Sequence, residues 1–294
     1  MESLPSPAAR VALRIARCKE LDRARDQLGH PCHQIVALQP DPRIAPDRFQ
    51  VPEAWAGKIE TGRLVFVSSN PSISEDGVSY AANSPEDYPR HSWDDRRISD
   101  FISRRFDPEA RWAQDDKFMR QDGTYAAKKV AFWSRARKRA GELIDEAVPE
   151  RDYAMAEVVH CKSHHEKGVK SAAPLCFLLY FEEVMRLSVA PLVVVVGAKA
   201  RDLLTQRLAL GTGFGSMNTV SADEEENIAA RHLGGRERVV LYLGHLTGMS
   251  PNNTFALRYP KRLEELRALA RGELSVDAFS ATLPASKRDC PDTP

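Results

Sequence analysis

Four short runs of apolar residues interrupt an otherwise mixed sequence, and each ends abruptly in a polar or glycine-containing turn. They cover Leu64–Ser68, 155–160, Leu192–Val196 and 239–243. Because they are continuous rather than alternating, they read as strands of a parallel sheet covered on both faces. Helical periodicity at 174–187, 198–208 and 253–271 lies between or after them, which predicts strand–helix alternation with right-handed crossovers. The expected fold class is α/β: a three-layer αβα sandwich with a central four-stranded parallel sheet, an N-terminal helical extension and a long insertion after the first strand. Residues 1–55 form the extension, an amphipathic helix in "RVALRIARCKELDRARDQL" followed by a Pro-rich connector. Residues 56–272 form the α/β domain, interrupted by the insertion at 83–150. The tail at 273–294 ends in a stretch rich in Pro, Ser, Asp and Lys, expected to fray.

Composition narrows the class. A chain of 294 residues that is 43% hydrophobic can bury one large core. Its longest apolar run, 189–198, contains a Pro and a Gly and is too short to cross a bilayer, and residues 1–17 lack the apolar stretch of a signal peptide. The five cysteines, Cys18, Cys32, Cys161, Cys176 and Cys290, are odd in number and scattered, unlike a secreted disulfide framework. The expectation is a cytoplasmic monomer without a membrane partner. The net charge of +1 conceals an uneven distribution, since 223–226 is wholly acidic whereas 128–139 carries six basic residues and no acidic one. Phe132 and Trp133 interleave the basic run, which suits a phosphate backbone. It suits equally a solvated helix face whose aromatics turn into the core.

Parallel sheets bind ligands beyond the carboxyl ends of their strands. The strand ends here are "SSNPSISEDG", "HCKSHH", "GAKA" and "GHLTGMSPNN", and three of them carry unusual polar residues. No Gly-x-Gly-x-x-Gly or Walker-type loop follows a strand, and "GTGFGS" at 211–216 follows a helix, which disfavours a nucleotide-binding α/β enzyme of another kind.

Together these ends resemble the uracil-DNA glycosylase superfamily, in order and spacing, over roughly 64–269 apart from the insertion. "SSNPS" keeps the Asn-Pro pair of the family's first motif as Asn70 and Pro71, and "SEDGVSY" offers Glu75, Asp76, Gly77 and Tyr80 where the iron-sulfur branch has Glu-Asp, Gly and an aromatic. "HLTGMS" is similar to the last motif through His245, Thr247, Gly248, Met249 and Ser250. "AEVVHCKSHH" and "APLVVVVGAKARDLL" look like the segments between.

The resemblance implies a monofunctional DNA glycosylase, which flips a nucleotide out of the duplex and stabilises a cationic sugar while the base leaves. Asn70 would hold the attacking water and His245 would donate to the base. Asp76 would be a competing general base, or the N-cap of a following helix. Pro71, Ser72, Tyr80, Glu157, His160 and Thr247 would line the base pocket, with Tyr80 stacking on the base. Met249 would wedge into the gap left in the duplex, and Ser250, Lys199, Lys128, Lys129, Arg135, Arg137, Lys138 and Arg139 would face the DNA. Glu157 stands where the uracil enzymes have an Asn. Taken as ionised, it would accept from the amino group of cytosine and repel O4 of uracil. Ser72 follows Pro71 where uracil specialists carry a bulky residue, which leaves room for a 5-substituent. The implied target is a 5-modified cytosine, hydroxymethylated or glucosylated, of phage DNA, and the role antiviral. The alternatives are repair excision of uracil or damaged bases, with Glu157 turned away, and a non-catalytic DNA-binding relative.

No metal is expected: His160, His164 and His165 lack matching ligand spacing. The iron-sulfur branch joins cysteines at the places of Cys161 and Cys176 to an amino-terminal Cys-x-x-Cys. Here the amino-terminal pair, Cys18 and Cys32, has thirteen residues between its members, so no cofactor is expected and buried free thiols are favoured over a four-iron cluster.

Overall fold

The computed structural model describes residues 6–73, 86–210, 214, 224–247 and 253–288. Six strands make one mixed sheet: β1 Trp55–Gly57, β2 Leu64–Ser68, β5 Tyr153–Glu157, β6 Leu192–Val196, β7 Ile228–Leu233 and β8 Arg236–Leu243. Two further short strands, β3 Ala113–Gln114 and β4 Lys117–Phe118, form a separate ribbon. The order across the sheet is β1-β5-β2-β6-β8-β7. The four central strands are parallel, and β1 and β7 are antiparallel edges. The expected four-stranded, wholly parallel sheet is therefore corrected to six strands. β1 has only three residues, and β7 carries Arg231 and His232 in place of a clean apolar run. The chain turns from β7 into β8 through Gly234 and Gly235, both at positive φ, the conformation a two-residue hairpin demands.

The period of two along each strand sorts side chains onto two cores. Val65, Val67, Val193 and Val195 face one, and Leu64, Phe66, Leu192 and Val194 face the other. The first is covered by α1 Pro7–Ala16, α2 Glu20–Asp26, α3 His33–Val36, α4 Asp95–Arg104, α6 Val169–Cys176, α7 Glu182–Leu187 and α8 Ala198–Arg207. The second is covered by α5 Ala131–Ala140, α9 Phe255–Arg258, α10 Leu263–Arg271 and α11 Val276–Ala281. Each fully buried Val or Leu contributes about 1.5–3 kcal/mol. The single amphipathic helix expected at 10–28 is two helices, α1 and α2, separated at 17–19. Ser6 caps the first by accepting from the Ala9 amide, with Pro7 at its first position. The periodic stretch 253–271 likewise divides into α9 and α10, because Pro260 cannot continue a helix. Between α6 and α7 a π-turn, Phe177–Phe181, stacks Phe177 on Phe181.

The N-terminal helices share the core of the sheet rather than lying apart from it: Ile15, Ile35 and Trp55 pack in one cluster with Val65 and Val193. No helix among the described residues is long and apolar enough to cross a membrane.

Candidate active site

The ends of β2 and β5 do not separate where the strands stop. Val158 and Val159 donate to the carbonyls of Ser68 and Ser69, Ser163 to that of Pro71, and Ile73 to that of Ser163. This extended pairing fixes the polar turn at 68–73 against 157–163. A cleft of about 540 Å³ opens there, lined by Ser68–Ser72, Glu157, Lys162, Ser163, His165, Glu166, His245 and Thr247 on the sheet side. Phe118, Val130, Phe132 and Trp133 close it from the other side.

Asn70 is locked by two bonds. Its Nδ2 donates to the Pro71 carbonyl at 2.7 Å and to Ser163 Oγ at 3.0 Å, so the amide orientation is set by its acceptors. Its buried Oδ1 has no partner among the described residues. An acceptor so held suits a water molecule.

His245 follows β8, and its Nδ1 accepts from the Thr247 amide at 3.3 Å and meets Thr247 Oγ1 at 2.8 Å. A nitrogen that accepts from a backbone N–H carries no proton, so the neutral ring holds its hydrogen on Nε2, as a donor. Gly197, at φ +86°, ends β6 beside it; a Cβ there would stand 3.2 Å from His245 Cδ2. Asn253 braces the turn by donating to the carbonyls of Gly244 and His245. The ring of Phe132 lies 6.3 Å from that of His245.

Glu157, the last residue of β5, pairs across the ladder with Ser68, whose hydroxyl donates to Glu157 Oε2. Burial pushes its carboxyl up to about 8, Glu53 adds to the rise, and the Ser68 bond and Lys162 oppose it. At neutral pH the group is predominantly an acid. The ionised carboxylate assumed from sequence is thus corrected: an acid donates as well as accepts. Below it lies a buried ion group that sequence reasoning missed. Arg105 bridges Glu53 at 2.6 Å and Glu86 at 2.8 Å, and Lys162 stands 3.7 Å from Glu86 with its ammonium 3.4 Å from the centre of the Tyr88 ring. The guanidinium lies over Phe101 and Trp133. All four charged residues line the cleft.

The remaining sequence-derived residues divide. Pro71, Ser72 and Thr247 line the cleft. His160 does not: it is buried, its Nδ1 bonds the Glu53 carbonyl at 2.7 Å, its ring meets Tyr180, and burial lowers it to about 4. Its placement in the base pocket is corrected, because Val158 and Val159 carry the chain past the end of β5 and turn it into the core. Lys199 sits in the first turn of α8 and pairs with Glu166 at 2.9 Å, and Glu166 in turn accepts from Ser69. In the basic run, Arg137 is held by the buried Asp116 at 2.9 Å, and Arg139 by Glu142 and the Asn253 carbonyl. These two are tied to the fold and leave the set expected to face DNA freely. Lys128, Lys129, Arg135 and Lys138 are exposed. Asp76, Tyr80, Met249 and Ser250 lie outside the described residues. Among the described residues the cleft's aromatics are Phe118, Phe132 and Trp133, and of these Phe132 and Trp133 were foreshadowed by their place in the basic run.

No family model and no curated protein matches this chain. The site therefore rests on its own geometry.

Behind β5, Cys32 and Cys176 are buried in the first core and Cys18 and Cys161 pack against it, so two pairs distant from each other in the chain come within electrostatic reach of one another. Burial pushes the thiols up, Cys32 and Cys176 to about 12, and Cys161 is raised further by each of the other three. Tyr180 and the Glu20 backbone bond to Cys18, and the His160 amide donates to Cys176 Sγ at 3.5 Å. Among the described residues no three His, Cys, Asp or Glu side chains are grouped tightly enough for a single metal ion. A cubane holds its four thiolates farther apart than one ion does, and an all-cysteine set in apolar surroundings is the donor chemistry it takes. The wide Cys18–Cys32 spacing is absorbed by α2, which folds back between them.

Proposed function

We propose that this chain is a monofunctional DNA glycosylase that hydrolyses the N-glycosidic bond of a flipped nucleotide and leaves an abasic site. The observation that carries the reading is the pairing, in one cleft, of a locked amide with a free acceptor, Asn70 Oδ1, and a neutral imidazole with its donor on Nε2, His245. The first positions water at the sugar; the second meets negative charge developing on the leaving base. Phe132 offers a ring for the base to stack on, and Lys128, Lys129, Arg135 and Lys138 offer charge for the phosphates.

The target proposed is a 5-modified cytosine, hydroxymethylated or glucosylated, in phage DNA, with the exposed Ser72 at the cleft leaving the 5-position open. A second reading, uracil excision in repair, is favoured by one observation: as an acid, Glu157 satisfies O4 and N3–H of uracil as well as it does the amino group and N3 of cytosine. Matched duplexes containing uracil, cytosine, 5-hydroxymethylcytosine and its glucosylated form decide between them. Alkali-labile sites in the modified-cytosine duplexes alone support the proposal; preferential release of uracil supports the second reading, and cleavage of none refutes a glycosylase.

We also propose that Cys18, Cys32, Cys161 and Cys176 hold a four-iron cluster, which would cross-link the N-terminal helices to β5 and α6 and take no part in base release. Anaerobic purification should give about four irons per chain and a broad visible absorbance, both lost in Cys161→Ser.

A further inference from the structure

Resting on the glycosylase reading above, we infer that Glu157 is the general acid that protonates the leaving base, giving the proton on Oε1 to N3 of a cytosine seated in the cleft. The placement supports this directly. Glu157 ends β5 at the cleft floor, where Ser68 donates to Oε2 and Oε1 has no partner among the described residues. A carboxyl with one oxygen engaged as an acceptor carries its hydrogen on the other, here the one left for a ligand.

The surroundings keep the group an acid. Glu53, on the segment leading into β1, faces it and disfavours ionisation; Lys162, beyond β5, favours ionisation but is shared with Glu53 and Glu86. Arg105, just past the end of α4, donates from its two terminal nitrogens to the same two glutamates. Across the cleft, Glu166 is taken by Ser69 and Lys199, while His165 and His245 line the same wall. The nearby cations are thus spent on other carboxylates, and burial holds Glu157 protonated up to about pH 8.

The chemistry needs such a group. Cytosine leaving as an N1 anion has no carbonyl at C4 to spread the charge, and His245 addresses only the carbonyl oxygen at C2. In the step inferred, the Oε1 proton passes to N3 as the C1′–N1 bond breaks. The bonding pair goes into the ring, and the base departs as its neutral 3H tautomer. Water at Asn70 Oδ1 adds to C1′, its surplus proton leaves to solvent, and Glu157 regains a proton from solvent. The ring of uracil already carries a hydrogen on N3 and does not take this one.

The test combines a direct titration with kinetics. In protein labelled with ¹³C at the glutamate carboxyl, the signal missing from Glu157→Gln should titrate near pH 8; a midpoint at 4–5 overturns the inference whatever the activity. Single-turnover release of 5-hydroxymethylcytosine should fall about tenfold per pH unit above that midpoint. Glu157→Gln, isosteric and folded by its thermal midpoint, should be slower by about 10² or more at pH 7 and flat with pH. Wild-type release that is independent of pH, or retained by Glu157→Gln, overturns the acid role while leaving the glycosylase reading intact. Absence of any base release by the wild type refutes that reading and the acid role with it.

Discussion

Asn70 and His245 act through atoms held in place before substrate arrives, so their removal should cost rate rather than fold. Asn70→Ala and His245→Ala should each lower single-turnover excision by about 10²–10³, with DNA affinity little changed. Near wild-type rates in both would refute the site. Gly197→Ala tests the support behind the imidazole. Alanine must take up φ +86° and bring a methyl to 3.2 Å from His245, so we expect a loss of about 1–3 kcal/mol and slower excision, read by denaturant unfolding and single-turnover assay. These residues were legible because each belongs to a short motif at a strand end. Glu53, Glu86 and Arg105 were not. Each is one charged residue among many in a chain with 28% charged residues, and only the tertiary fold decides that these three are buried together.

At the scale of elements, α5 shows how one basic stretch serves two ends. Trp133, Ala136 and Ala140 anchor it in the core, Arg137 and Arg139 tie it to Asp116 and to the turn at Asn253, and the other cations remain in solvent. Replacing Lys128, Lys129, Arg135 and Lys138 by Gln should weaken binding to any DNA sequence and flatten the logarithmic salt slope by about 0.9 for each phosphate no longer neutralised, with unfolding unchanged. An unaltered slope would make α5 a solvated face. Arg137→Ala should instead destabilise by about 3 kcal/mol, because it strands the buried Asp116 carboxylate, and equilibrium unfolding reads that difference. The central strands were legible from their apolar runs, with β2 and β6 at their observed limits. β7 was not, since Arg231 and His232 break its pattern; the Gly234–Gly235 turn was the signal that could have found it.

For the whole molecule, two buried groups set opposite responses to pH. His160, depressed to about 4, contributes stability that is present above its ordinary range near 6.5 and lost as pH falls toward 4. Glu157, raised to about 8, contributes stability that is full below its ordinary range near 4.5 and lost as pH rises through 8. The two oppose one another between 4.5 and 6.5, and above that Glu157 acts alone. The Tm of the wild type should therefore fall from pH 6.5 to 8, and that of Glu157→Gln should stay level across the same interval. An identical decline in both would remove Glu157 as the cause.

The order in which the chain delivers the cleft has its own consequence. Glu53, Glu86, Arg105 and Lys162 have all been synthesised well before His245. A nascent chain can thus neutralise its buried charges while the sheet still lacks β6 and β8, and the last wall arrives onto a floor already settled. A ribosome stalled after residue 162 has emerged from the exit tunnel would carry a folding intermediate whose ions can pair, and one stalled before that emergence would leave Arg105 alone to face two glutamates.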